Sequence, residues 1–229
     1  MSNSINTNVG AMVALQSLNA TSRELASVQN RVSTGLKVAS AKDNGAIWAI
    51  AENQKANVGV LNTTRNTLQR TQSVNDVGLA AGDTIMDALR QMKELAAGPQ
   101  SAARDADLTA LSAEVTAAKA AAVFDGTAAL SAFTVTVTGV ATTAQIDADI
   151  ASAVSVLQGL GTSSKSTERS LAFNDKLQAA LERGVGNLVD ADLARESARL
   201  TALQTKQQLG VQALSIANQS SSVLLGLFR

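Results

Sequence analysis

Residues 2–52 and 167–229, the two ends of the chain, are dense with helix-forming, seam-forming pattern, while the stretch between them is Thr- and Ala-rich and bland. This distribution constrains the fold more than any other feature. A helix with an apolar stripe has to bury that stripe against a neighbouring surface. Catalytic residues usually sit on loops carried by a scaffold. A chain whose information lies in two terminal helical arms reads instead as one that assembles through those arms.

Composition excludes most chemistry. There is no His, no Cys and no Tyr, one Trp (Trp48), four Phe and one Pro (Pro99). Without His or Cys there is no ordinary transition-metal site, no Ser-His or Cys-His nucleophile pair and no imidazole base. Only carboxylate chemistry with Mg²⁺ or Ca²⁺ remains open, so no enzyme, no cofactor and no metal site is expected. At 2% aromatic residues with abundant Ala, the chain favours close helix–helix contacts over an aromatic core. Nineteen basic and nineteen acidic residues cancel. No basic stripe marks a nucleic-acid partner, and no apolar run approaches the ~20 residues of a membrane span. The opening MSNSINTNVG has neither the positive leader nor the apolar stretch of a secretory signal. Export, if it occurs, is expected by a route that needs no cleaved signal.

In the first arm, Leu15, Leu18, Ser22, Leu25, Gln29, Val32 and Leu36 follow a 3-4 rhythm, a coiled-coil template with two polar interruptions. A plain amphipathic helix on its own core fits the same rhythm. Ahead of it, Ile5, Val9 and Met12 are spread among polar residues, a leader expected to order only against a partner. Ser33-Thr34-Gly35 offers a helix stop, with Gly35 as left-handed cap. Ser40 and Asp43 stand three apart like a capping box before Ala46-Ile47-Trp48, so a break is expected near 34–44, with Trp48 packed in a core.

From about 45 to 97 the helical pattern is continuous. Val58, Leu61, Leu68, Leu79, Met86 and Leu89 form one seam, and Val74, Val77, Ala81, Ile85, Ala88, Met92 and Leu95 a second. Two adjacent seams suit a helix with more than one neighbour. Gly98-Pro99 ends it, and Asp105 or Asp107 can cap a further helix to about Ala122. A turn at Phe124-Asp125-Gly126 follows. Phe133 to Thr138 alternates apolar and polar residues, which predicts a strand and half of a hairpin. Helix returns at about Ala144–Leu157, with a second break expected at Gly159 and Gly161.

Residues 163–225 read as one uninterrupted helix. Leu177, Leu181, Val185 and Leu188 face one way, followed by Leu193, Leu200, Leu203, Leu214 and Ala217. The end, Ser222 to Arg229, is the most apolar segment of the chain. Arg229 is its only cation after Lys206, which favours burial in an assembly over insertion in a membrane surface. Asp190 and Asp192, at i,i+2, fall on different helix faces, which argues for solvent exposure or pairing with Arg195 over metal binding. Arg31 and Arg195 suit either surface positions or intersubunit salt bridges.

These ends resemble bacterial flagellin, the subunit of the flagellar filament. The matching segments are Ile5-Asn6-Thr7-Asn8, Ala14-Leu15, Arg31 to Val38, Ser40 to Asn44 and Met92 to Ala96. Phe124-Asp125-Gly126 matches too, with Asp where the family more often has Asn. At the other end the match runs through Asp190 to Glu196, Leu200-Thr201, Gln204-Thr205, Ala213-Leu214, Ala217-Asn218-Gln219 and Val223-Leu224. The segments cover roughly half the chain, in the family's order.

The resemblance implies a mainly α fold: terminal helices paired as a coiled coil, and an elongated helical rod with one small β-hairpin. The arms are expected at 1–40 and 187–229, and the rod at 41–186 with its hairpin region near 127–143. Only Ala128–Thr143 stands where many flagellins insert large variable outer domains, so this is a short form. The resemblance implies a structural subunit of an extracellular filament that drives swimming, threaded through a type III export channel with its arms unfolded. Its expected partners are further copies of itself, sister flagellins, an export chaperone, the filament cap and the hook-junction proteins. The assembly interface is expected at Leu15, Leu18, Leu25, Arg31, Val32, Leu36, Leu193, Arg195, Leu200, Leu203, Leu214, Val223, Leu224, Leu227 and Phe228. A hook–filament junction protein shares the terminal helices. From another class, a cytoplasmic coiled-coil adaptor would show comparable seams, without needing a buried Val223–Phe228.

Overall fold

A computed structural model describes residues 8–136 and 141–227, with side chains to residue 219. The expectations for Ile5, the 137–139 end of the predicted strand and Phe228 lie outside these residues, as do the side chains of Val223, Leu224 and Leu227. The elements are α1 (Val9–Thr34), α2 (Gly45–Ala96), α3 (Ala102–Ala121), β1 (Val123–Phe124), β2 (Thr127–Ala128), α4 (Thr143–Val189) and α5 (Leu193–Leu227). The chain divides into two compact units, residues 1–57 with 181–229 and residues 58–180. The first unit therefore takes in more of α2 and α4 than the arms expected at 1–40 and 187–229.

In the first unit, Asn8 caps α1 by accepting a hydrogen bond from the Ala11 N–H, and Gly35 closes it at φ 71°. Only glycine adopts that left-handed conformation without steric cost. The break expected near 34–44 is present, and backbone contacts stitch it to the α4–α5 junction. Lys37 and Val38 donate to the Val189 carbonyl, and Ala191 donates to Gly35. This junction at 190–192 corrects the uninterrupted helix read over 163–225. Asp192 takes the N-cap role, its carboxylate accepting from the Ala194 and Arg195 N–H groups, so α5 starts afresh.

Ser40 and Asp43 do not cap α2. The Asp43 carboxylate accepts from the backbone N–H groups of Ala39 and Ser40 and from the Ser40 hydroxyl, closing a turn of its own. Those bonds, the backbone one from Ser40 first, hold its carboxyl below the ordinary carboxylate value. Asn44 is the actual cap, accepting from the Ile47 N–H. Trp48 is not packed in a core. Ile47 and Ala51, four apart, face a small cluster with Val38, Val185 and Val189, which turns Trp48 about 100° away to 36% exposure.

The second unit holds the larger core. Both α2 seams are packed, centred on Ile85, Ala88, Leu89 and Met92. Leu108 and Val115 of α3 close over them from one direction, and Ile146 and Ala153 of α4 from another. The cap of α3 is Ser101 in place of Asp105 or Asp107, its hydroxyl accepting from the Arg104 N–H. Asp105 occupies the first turn and pairs with Arg104 at 2.8 Å.

The hairpin lies earlier than read. Val123 pairs with Ala128 and Phe124 with Thr127. Asp125 at φ 49° and Gly126 at φ 76° supply the two positive φ values of a tight hairpin turn. Arg70 holds that turn through the Asp125 carboxylate at 2.6 Å. Residues 133–136 form no strand: Phe133 turns its ring into the core at 1% exposure, and Thr136 is tied to α4. There the buried Asp149 accepts the Thr136 N–H on both oxygens, 3.1 Å each, and the Thr136 hydroxyl as well. The side chains that alternate in sequence are thus spent on anchoring a loop.

Gly159 and Gly161 do not break α4, which runs through them. Each costs about 1 kcal/mol against Ala in a helix, a penalty that packing against α2 outweighs. Gly78 and Gly82 sit where α4 comes close. A Cβ on Gly82 would sit 2.0 Å from Cδ2 of Leu157, and one on Gly78 2.8 Å from Cδ1 of Leu160. Gly82→Ala should destabilise the second unit by roughly 1–3 kcal/mol from overpacking, despite its better helix propensity. Denaturant unfolding measures this, and a raised midpoint would mean that Leu157 swings aside freely.

Candidate assembly surface

The terminal helices pair with each other. On α1 a stripe of buried and half-buried positions runs through Ala11, Ala14, Leu18, Thr21, Leu25, Val28 and Val32, flanked by the half-buried Ser22, Glu24 and Arg31. On α5 they are Glu196, Leu200, Leu203, Gln207, Gly210, Leu214 and Ala217. Both sets alternate steps of three and four, the repeat that keeps one stripe facing a partner helix. Contacts across the seam show antiparallel pairing. The Asn8 side chain donates to the Ala217 carbonyl at 2.8 Å, and Gln207 donates to the Ser22 hydroxyl at 3.5 Å. Leu18 fills the space over Gly210, where a Cβ would lie 3.3 Å from its Cδ1. Arg199 pairs with Glu24, which holds the guanidinium above its ordinary value, and Arg31 reaches Glu196 at 3.5 Å.

Six of the residues read as interface lie on this seam inside one chain: Leu18, Leu25, Val32, Leu200, Leu203 and Leu214. Arg31 is engaged in the same chain by Glu196, and Leu36 packs on the small cluster around Val38. Leu15 and Leu193 face outward, each 48% exposed. Arg195 is exposed, its backbone N–H held by Asp192. Val223, Leu224 and Leu227 belong to α5.

What the sequence reading missed is the outer face. Val9, Met12 and Val13 on α1, and Leu209, Val211 and Ile216 on α5, are 54–68% exposed. Solvent-facing apolar surface on this scale marks an interaction site. The available signal was that α1 is apolar on two sides, at Ala11 and Ala14 and again at Met12 and Val13, so one helix has two surfaces to cover. Polar groups in the seam, Glu196 and Gln207 among them, blurred the corresponding pattern on α5. Among the described residues no helix is long and apolar enough to cross a membrane.

The family model for the bacterial flagellin N-terminal helical region matches residues 5–135, and that for the C-terminal helical region matches residues 143–228. Flagellin FljO of Caulobacter vibrioides is 50% identical, with 99% of each chain covered. Flagellin FljM of the same organism is 49% identical over the same shares. A flagellin of Brucella melitensis is 31% identical, again with 99% of each chain covered.

Proposed function

The chain belongs to the bacterial flagellin family, as a structural subunit that polymerises into the flagellar filament, and we propose that it polymerises through its terminal helices. The observation that carries this reading is the division of labour on α1 and α5. One stripe of each helix is consumed within the chain, and apolar side chains off that stripe, Val9, Met12 and Val13 on α1 and Leu209 and Ile216 on α5, are left facing solvent. Each Val, Ile, Leu or Met side chain moved from solvent into an interface contributes about 1.5–3 kcal/mol. Four to six of them per subunit are enough to drive association once ordering costs are met. Residues 223–228 are apolar by sequence, and those to Leu227 belong to the same helix; the segment is assigned to the same interface. Contacts of this kind between different patches do not close on themselves, so they propagate as a helical polymer.

The free subunit is proposed to keep its arms largely unfolded. The α1·α5 seam is small and partly polar, and a helix pair of that kind does not offset the entropy of ordering some 60 residues. Unfolded arms suit passage through a narrow export channel. A chaperone that shields the apolar arms before export, a cap that templates their folding and junction proteins at the filament base complete the proposed set of partners. Hydrogen exchange tests the ordering step. Amides of α1 and α5 should exchange within seconds in the free subunit and be protected in the filament, while the second unit is protected in both. Equal protection of the arms in the two states would rule out ordering on assembly.

A further inference from the structure

Beside the apolar outer face, the first unit carries a polar cleft of about 550 Å³ at the α1–α2 break. Arg23, Asn30, Arg31, Leu36, Lys42 and Asp43 are among the residues that line it. Its charges do not balance. Arg31 is committed to Glu196, and the Asp43 carboxylate to its own turn. Arg23 and Lys42 are exposed and make no ion pair among the described residues. With Glu196 pairing Arg31, the remaining Arg23, Lys42 and Asp43 leave one net positive charge in the cleft, which favours an anionic partner. Arg23 also lines the neighbouring groove with Met12 and Leu15, so the cleft is continuous with the outer face that takes up other subunits.

A matching anion lies in the same unit and at the same level. The backbone of Asp190 bridges to Leu36, one wall of the cleft, yet the Asp190 carboxylate is not part of the lining. It lies instead against Gly186, where a Cβ would be 2.7 Å from its Oδ2. The Asp190 side chain is exposed. We propose that the cleft of one subunit receives the Asp190 corner of a second copy, so that Arg23 and Lys42 meet that carboxylate across a lateral subunit contact. This rests on the filament reading and adds to it a specific polar contact beside the apolar face. The cleft and the corner are different surfaces at one level of the same unit, which is what a non-closing, propagating contact between copies needs. Charge pairs at the rim of an apolar interface set register and encounter more than affinity.

The test is a charge swap in seeded elongation at low ionic strength, with the whole chain throughout. One variant carries R23E and K42E, the other D190K; Asp192 is left alone because it caps α5. Each variant by itself faces like charge at the contact and should need roughly tenfold more subunit to elongate. An equimolar mixture offers every cleft an opposite charge and should elongate close to the wild-type concentration. Thermal unfolding of the second unit, unchanged in both, shows that the rest of each variant is folded, and recovery in the mixture shows that the altered first unit of each still assembles. Wild-type behaviour of the single variants overturns the contact, and so does a mixture no better than its components. Failure of the unaltered chain to elongate on seeds would remove the filament reading itself, a result distinct from either.

Discussion

Replacing Met12 and Ile216 together by Asp is expected to abolish filament growth while leaving the second unit folded. The two side chains are 63% and 68% exposed, so the substitutions disturb no packing within the subunit. In an assembly each forfeits about 1.5–3 kcal/mol of apolar burial, and an unpaired carboxylate driven into an apolar contact costs several more. The sum raises the concentration needed for elongation by at least ~100-fold. Sedimentation of seeded reactions measures it, with thermal unfolding as the control for fold. Growth at the wild-type concentration would show that these outer faces do not carry the subunit contacts.

Phe133→Ala has the largest expected effect on the fold. Phe133 is 1% exposed and is the largest side chain fully enclosed by the core of the second unit. It sits on a segment without regular structure, so its ring and the Asp149–Thr136 contacts do the work that a strand ladder would do elsewhere. Removing the ring should cost about 3–5 kcal/mol, which for a unit of this size lowers the midpoint on the order of 10 °C. Calorimetry on the intact chain reads this directly. A loss below about 1 kcal/mol would mean that the core is held by its helices alone.

Much of this architecture is legible in the residues, and the exceptions have physical causes. Gly35, Pro99 and the Asp125-Gly126 turn end elements where they stand, because each imposes a backbone conformation that its neighbours cannot override. The double seam of α2 is equally readable, since both of its faces really are covered. The seam of α1 is only half readable. Leu18, Leu25 and Val32 lie on it, but its other positions are Ala11, Ala14, Thr21 and Val28, while Leu15 faces out. Close helix approach favours small residues, so following the leucines leads one position off. The α4–α5 junction hides for a related reason: Asp190 to Asp192 contains neither Gly nor Pro, and Asp192 is recognisable as a cap only once the chain bends there. Gly159 and Gly161 mislead in the opposite sense, because tertiary contact outweighs helix propensity. The outward apolar face is invisible as such, since a single sequence does not say which of two stripes a subunit keeps for itself.

Assembly through the terminal arms is tested most directly by electron microscopy of the intact chain and of one lacking residues 220–229, each added to filament seeds. The arms predict long tubes from the intact chain and bare seeds from the shortened one, whose second unit remains folded. Filaments of normal length and diameter from the shortened chain would contradict it.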